Sequence, residues 1–331
     1  MSIVSAIVFP AAHRVEIQTY EVPELRPDEV LVRTEFSGVS QGTEIWALID
    51  KRPELKYPTI PGYQSIGRIE KIGADVKGYE LGQRVLFNTS RIPDSYPFTW
   101  MGGHVSLAAV PVKADGHPRL VPEGCDPIAA SVAYLPAVSL RGIRMIDVNI
   151  GDLVVVTGQG LIGQASAQLA RLRGAIVIAT DMNPARIRLS RQCSADIVVN
   201  PKEQDLGNLV RSIKPNGADA VIETTGRSDQ FERCLDLLRW EGHLLLQGYY
   251  PDTITFTPHN AHMKKPRVAI TCGCDAPDAA ICMDLMKYNK LRFRELVTHV
   301  VPISEAAGMY QRMKENDPEV LGVVFDWSGV K

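Results

Sequence analysis

The sequence predicts an α/β protein: a doubly wound parallel sheet in its second half and a β-rich domain in its first. Three observations lead there. Short alternating strands punctuated by Gly and Pro fill the chain to about residue 130. From about residue 151 the pattern becomes strand, helix, strand. At that change a glycine-rich turn joins a continuous apolar run to a helical one, as nucleotide-binding α/β domains require.

In the first half, the runs 5–9, 15–22, 29–39, 65–73, 84–87 and 105–112 read as strands. Several short strands with turns between them form a barrel or a sandwich. In the second half, "DLVVVT" (152–157) is apolar throughout, like a strand buried on both faces. Residues 161–174 carry helical periodicity and end in Gly, and 175–181 is a second buried strand. Asn183 and Pro184 supply a helix N-cap and first residue. "ADIVVN", "ADAVIETTG", "EGHLLLQG" and "RVAITCG" add further strands with helical stretches between. Regular β-α alternation predicts a parallel sheet with helices on both faces. After about residue 275 the rhythm stops, and the tail is expected to return to the first domain. The boundaries read as 1–133 with 275–331, and 134–274.

Composition narrows the function. The chain has 331 residues, net charge −2 and 45% hydrophobic content. Near-zero charge argues against a nucleic-acid surface, which needs a basic patch. Lys264-Lys265 reads as solvated surface. No run approaches the ~18 apolar residues of a membrane span. "MSIVSAIVFP" lacks the basic flank of a signal peptide, so the expected location is the cytoplasm. The six cysteines are scattered, as free thiols are. Cys272 and Cys274 lack the spacing of a metal knuckle and read as two core-facing thiols on a strand.

The strongest motif is Gly158-Gln159-Gly160-Leu161-Ile162-Gly163, a G-x-G-x-x-G turn between a buried strand and a helix. The first Gly permits the tight turn, the second lets a pyrophosphate approach, and the third lets helix and strand pack closely. The helix start offers free N–H groups to the phosphates. Asp181 ends the next strand, 23 residues beyond Gly158. An acidic residue ~20 residues on accepts the ribose hydroxyls of NAD and repels a 2′-phosphate. NAD(H) is therefore favoured over NADP(H), although Arg186 could pair with the adenosine side or partly rescue NADP. Thr224, Thr225 and Gly248 close later strands at the carboxyl edge, where ligands of such sheets bind. They are cofactor neighbours or ordinary strand-end residues.

"SGVSQGTE" (37–44), "YPTIPGYQSIGRIEKIG" (57–73), "LGQRV" (81–85), "VVVTGQGLIGQASAQLARLRGA" (154–175) and "LVTHVVPISEA" (296–306) together resemble the medium-chain dehydrogenase/reductase superfamily. The resemblance covers essentially the whole chain. It implies a Rossmann domain, a GroES-like barrel that carries catalysis, and a homodimer paired through "RVAITCG". Zinc members of the superfamily hold metal with a Cys, a His-Glu pair and a later Cys or acid. Here those positions read Ser40, Tyr63-Gln64 and the neighbourhood of Ala133. The stretch expected to carry four structural-zinc cysteines has none. His104 and Glu44 are nearby, but two ligands do not make a site, and no zinc is expected. The pattern looks most like a zinc-lacking branch that includes the dehydrogenase of the bacteriochlorophyllide hydroxyethyl side chain.

That resemblance implies hydride transfer between nicotinamide and a secondary alcohol or ketone of a natural-product or sugar-like molecule. Without a metal, a side chain must handle the hydroxyl proton and stabilise the oxyanion. The candidates are Ser40, Thr43, Glu44, Tyr63 and Gln64, all on loops expected at the domain cleft. Tyr63 is the preferred acid/base, since a cationic nicotinamide beside a phenol of pKa ~10 favours its phenolate. Its alternative is a packed aromatic. Thr43 looks like the superfamily's relay hydroxyl, Glu44 like an orienting or capping carboxylate, and Gln64 like a substrate-orienting or structural amide. His104 and His299 read as structural. Tyr57, Tyr96, Phe98 and Trp100 suggest either an aromatic pocket or a packed lobe. Two rival readings are a reductase of an activated C=C bond and a cofactor-binding protein without catalysis.

Overall fold

The structure is a computed structural model that describes residues 3–52, 54–92, 102–275 and 277–330. The chain divides into two compact units, residues 1–133 with 297–331, and residues 134–296. The first unit begins with β1 (Ile3–Val8), β2 (Glu16–Glu21) and β3 (Glu29–Gly38). Helix α1 (Gln41–Leu48) follows, then β4 (Ser65–Ile72), β5 (Arg84–Phe87), β6 (Leu107–Pro111), β7 (Arg119–Leu120) and α2 (Pro127–Ala130).

The second unit runs α3 (Tyr134–Met145), β8 (Leu153–Thr157), α4 (Leu161–Leu172), β9 (Ile176–Thr180), α5 (Pro184–Cys193) and β10 (Ile197–Val199). It continues with α6 (Leu206–Ile213), β11 (Ala218–Glu223), α7 (Gln230–Leu237), β12 (Leu238–Leu246), α8 (Pro258–Lys264), β13 (Arg267–Ile270) and α9 (Asp278–Lys287). The chain then returns to the first unit with β14 (Val297–Pro302), α10 (Ala306–Lys314) and β15 (Gly322–Asp326).

The tail therefore rejoins the first unit at residue 297 rather than 275. The reason is α9. Its apolar face (Ala279, Cys282, Met283) is buried, and Asp278 at its start is bridged by Arg144 of α3.

In the first unit, β3 is the organising strand. β4 runs antiparallel along one edge of it, and β6 and β15 share the other edge. The sheet order is β14-β15-β3-β4-β5-β7, with β6 on β3. Ile7, Phe9, Val39, Tyr310, Phe325 and Trp327 form one core cluster, which joins the beginning and the return of the chain.

The second unit has a parallel six-stranded sheet in the order β10-β9-β8-β11-β12-β13. This is an α/β Rossmann arrangement, and the first unit is a β-rich GroES-like one. β8 and β11 are buried along their whole length, which explains their unbroken apolar runs. Strand order reverses between β8 and β11. Ligands in such sheets bind outside the carboxyl ends at this switch point. The turns after both strands, Gly158–Gly163 and Thr224–Gly226, lie there.

The thiols of Cys272 and Cys274 are not in the core. β13 ends at Ile270, the chain turns at Gly273 with φ +68°, and Cys272 is exposed.

Asp219 ties the sheet's lower edge together. Its carboxylate accepts from Leu153 N at 2.8 Å, Lys214 Nζ at 2.5 Å and Arg239 Nε at 2.8 Å. Burial pulls this carboxyl up, but the bonds from Lys214, Leu153 N–H and Arg239 outweigh it and hold the acid below its ordinary range. A depressed folded value adds stability above the unfolded pKa, which is lost as pH falls through the folded value. Asp219→Asn should lower the melting temperature by a few degrees near neutral pH. That difference should begin to narrow below about pH 4, the ordinary range in which the unfolded carboxyl takes up its proton, and should vanish as pH falls through the lower folded value. Thermal unfolding of both proteins across pH checks this.

Candidate active site

Each unit presents its own cluster of chemistry-bearing residues. In the first, the cluster is built where β3 runs into α1. Ser40 is the helix N-cap, with φ −93° and ψ 89°, yet its hydroxyl makes no capping bond. The Thr43 and Glu44 N–H groups bond Ser40 O instead, and Glu44 Oε1 accepts the Ser40 N–H at 2.8 Å. The Ser40 Oγ is left to accept from the Tyr63 hydroxyl at 2.6 Å. Ser40, Glu44 and Tyr63 are thus brought together, but Thr43 and Glu44 ride on helix α1 rather than on a loop. The Gln41–Leu48 segment is short and glycine-containing, which masks its helical period.

Glu44 has no exposure at all, and three donors meet it. Besides Ser40 N–H, its Oε2 receives His104 Nε2 at 3.0 Å and the Tyr310 hydroxyl. His104 is equally buried, and its Nδ1 lies 2.8 Å from Ser37 Oγ. Ser37 Oγ in turn accepts from Trp327 Nε1 at 2.8 Å. One assignment satisfies every donor: Trp327 N–H to Ser37, Ser37 O–H to Nδ1, and Nε2–H to Glu44. Burial and the Glu44 charge push the Tyr310 phenol well above its ordinary value, so it stays a donor.

The turn that carries Tyr63 rests on His104. Gly62 has φ +90°, and a Cβ there would lie 2.6 Å from the imidazole. Gly103 N donates to Gly62 O at 2.8 Å and His104 N to Pro61 O at 3.1 Å. His104, expected to be merely structural, is a fully enclosed partner of the cluster.

The other expected residues stand apart. Thr43 is half-buried, and its N–H bonds Ser40 O at 3.0 Å. Gln64 is fully buried, and its amide finds no hydrogen-bond partner among the described residues. The Tyr57 hydroxyl is taken by Ala47 O at 2.6 Å, a structural use rather than a pocket wall. Tyr96, Phe98 and Trp100 lie outside the described residues. His299 sits between Thr298 and Arg312, and burial and the Arg312 charge lower its pKa.

Zinc wants thiolate, imidazole or carboxylate. Ser40, Tyr63 and Gln64 are neutral, and His104 and Glu44 are spent on each other. Among the described residues no three His, Cys, Asp or Glu are grouped to hold a metal. These residues do not fit zinc.

The second unit's cluster is the turn after β8. Gly158 takes φ +83°, and a Cβ on Gly163 would lie 1.9 Å from Gly158 O, so both must be glycine. Gly160 differs: nothing stands within 4 Å of its would-be Cβ. It caps α4, whose first N–H groups, at Leu161, Ile162 and Gly163, have no partner within the helix. Open space beside free N–H groups suits a pyrophosphate.

Asp181 faces this turn. Its Oδ2 accepts Gln159 N at 2.7 Å and its Oδ1 accepts Asn183 N at 2.8 Å. Arg186 Nη1 is 3.7 Å from Oδ2. Each carboxylate oxygen keeps a lone pair for a further donor.

Thr224 Oγ1 donates to Thr157 O at 2.9 Å, which joins the two switch-point turns. Thr225 N donates to Glu223 Oε1 at 2.8 Å. Gly248 needs its bare Cα for packing, since a Cβ would lie 2.4 Å from Gly226 N.

Two features escaped sequence reasoning. Glu223, fully buried, also receives Gly226 N at 3.1 Å and the Tyr250 hydroxyl, and burial and this charge raise the Tyr250 phenol. A polar ladder links α4 to α5: Ser190 donates to Gln159 at 3.0 Å, Gln164 to Ser190 at 2.9 Å, and Ser194 to Gln164. The signal was available in matched polar residues four apart, Gln164/Gln168 and Ser190/Ser194.

Residues 26–113 match the family described as "Alcohol dehydrogenase GroES-like domain", and residues 162–287 the family described as "Zinc-binding dehydrogenase". The chain belongs to the medium-chain dehydrogenase/reductase superfamily. It is an NAD(P)-dependent alcohol dehydrogenase of that superfamily. An alcohol dehydrogenase of Cupriavidus necator is 29% identical, over 97% of this chain and 98% of that one. The 2-desacetyl-2-hydroxyethyl bacteriochlorophyllide A dehydrogenase of Rhodobacter capsulatus is 28% identical over 92% of each. A Sinorhizobium meliloti dehydrogenase solved with NADP shares the fold, with TM-score 0.83 and 21% identity over 98% of this chain and 100% of that one.

The two glycines separate packing from binding. Gly160→Ala should leave the melting temperature unchanged and weaken NADH at least tenfold by fluorescence titration, because its Cβ enters the anion's space. Gly163→Ala should lower the melting temperature itself.

Proposed function

We propose that this dehydrogenase works without zinc, moving hydride between NAD(H) and a secondary alcohol or ketone of a natural-product or sugar-like substrate. The observation that carries the reading is the Tyr63–Ser40 hydroxyl pair at 2.6 Å, standing where zinc relatives hold their metal.

Bound nicotinamide would supply the hydride acceptor or donor. The chain's own residues would do the rest. In the oxidation direction Tyr63, as its phenolate, would take the proton of the substrate hydroxyl as hydride leaves the carbon and the carbonyl forms; in reduction the phenol would return that proton to the oxygen. Ser40 Oγ holds the phenol in place and shares the charge on it. Thr43, on the first turn of α1, would offer a second hydroxyl for the proton's exit, and Gln64, whose amide has no hydrogen-bond partner among the described residues, would orient substrate.

Gly158, Gly160, Leu161, Ile162 and Gly163 would cradle the pyrophosphate. Asp181 would take the ribose hydroxyls, with Arg186 beside it. Thr224, Thr225 and Gly248 would border the nicotinamide half. Asp181 favours NAD(H), since its charge opposes a 2′-phosphate.

A homodimer through β13 agrees with that strand being a sheet edge with Val268 and Ile270 exposed. Among the described residues no helix is long and apolar enough to cross a membrane. A cytoplasmic location agrees with six free cysteines.

The test uses protein stripped of metal by a chelator and a panel of secondary alcohols. Turnover should persist, and Tyr63→Phe should lower kcat by about 100-fold, within the range for a lost general acid/base, while NADH binding stays unchanged. Native turnover in Tyr63→Phe, or turnover that returns only with added zinc, sinks the reading.

Cofactor choice is tested separately. Asp181→Ser should shift the NADH-to-NADPH affinity ratio toward NADPH by at least tenfold, and adding Arg186→Ala should cancel most of that shift. Tighter NADPH than NADH binding in the native protein contradicts the assignment.

A further inference from the structure

The Tyr63–Ser40 pair depends on how the start of α1 is held, which the sequence alone does not show. A serine at a helix N-cap ordinarily turns its hydroxyl onto the N–H groups of the first turn. If Ser40 did so, its Oγ would leave Tyr63. It does not: the Thr43 and Glu44 N–H groups are bonded to Ser40 O, and Glu44 holds Ser40 by its backbone N–H. The question becomes what holds Glu44.

Two donors converge on one of its oxygens. His104 Nε2 and the Tyr310 hydroxyl both meet Oε2, which leaves Oε1 for Ser40. His104 has a second grip. Its ring lies against Gly62, where no Cβ would fit, and its backbone is bonded to the Pro61–Gly62 turn that presents Tyr63. The imidazole therefore touches both sides of the pair, the carboxylate behind Ser40 and the turn before Tyr63. Its own orientation is set by Ser37, which Trp327 fixes in turn.

We propose that His104 is a positioning residue for the reaction: by anchoring Glu44 and backing the Gly62 turn, it sets the Tyr63–Ser40 hydroxyl contact. The proposal rests on the reading of Tyr63 given above. His104 is fully buried and bonded on both nitrogens, so it is not itself the acid or base. A structural histidine would matter to stability alone; a positioning one matters to kcat through Tyr63.

The experiment is a double-mutant cycle with a conservative rescue, on the full chain with a secondary alcohol and NAD. His104→Asn keeps a group near Ser37 but is too short to reach Glu44. His104→Gln restores a donor to Glu44. His104→Asn should lower kcat about tenfold or more, with NADH affinity by fluorescence unchanged, and His104→Gln should recover to within about threefold of native. In a Tyr63→Phe background, His104→Asn should cost less than about twofold, because the contact it serves is already gone.

Equal turnover of the two His104 variants at matched melting temperatures overturns the proposal. So does the same loss with and without Tyr63. Native turnover in Tyr63→Phe alone removes the underlying reading, and is a distinct result.

If His104→Asn does not fold, the Glu44 variants decide. Glu44→Gln can still accept the Ser40 N–H and should stay within about threefold of native, whereas Glu44→Ala should fall about tenfold. Equal turnover of those two is likewise fatal.

Discussion

A carboxylate shut away from water must find its hydrogen-bond donors inside the protein, and Glu44 draws its three from widely separated segments. Ser40 lies beside it on the same turn, His104 comes from the approach to β6, and Tyr310 from α10, 266 residues away. An unpaired buried charge is strongly destabilising, by several kcal/mol. The cluster is therefore an all-or-none commitment. When it is complete, the Ser40 backbone is held, the Gly62 turn is seated, and the Ser40 hydroxyl meets Tyr63. The Tyr63–Ser40 contact follows from how a buried charge is satisfied.

The second unit follows the same logic with different parts. Glu223 ends the fully buried β11 and gathers donors from Thr225, Gly226 and Tyr250. Like Tyr310, Tyr250 is a phenol kept protonated by burial beside a carboxylate. In both units a buried anion shapes a loop at a strand end, and that loop carries the candidate binding or catalytic groups. Rigid placement of such groups by a locked surrounding shell is what productive geometry demands.

The sequence showed most where one local rule governs. The glycine turn between β8 and α4 was legible because each glycine answers a local need, and β8 and β11 because strands buried on both faces are apolar throughout. The return of the tail was legible, but its point of crossing was not, because α9 stays with α3 through a packing preference that no local signal announces. Helix α1 was hidden by its shortness, and so Thr43 and Glu44 were expected on a loop. His104 was discounted because its partners, Glu44 and Ser37, lie 60 and 67 positions away. Tyr310 and Trp327 were invisible for the same reason. Long-range satisfaction of buried polar groups leaves no periodicity to read.

The return of the chain has a consequence for how the molecule is made. β15 lies between β14 and β3, and α10 brings Tyr310 to Glu44. Residues 134–296 can close their own parallel sheet as soon as they leave the ribosome, whereas the first unit waits for a stretch synthesised after them. Until residues 297–327 arrive, Glu44 lacks one of its donors and β3 half of one edge. In chain order, the second unit can thus be complete while the first is still open. The unit that carries the proposed acid/base pair is completed last, by the segment that brings Tyr310, Phe325 and Trp327 to its core.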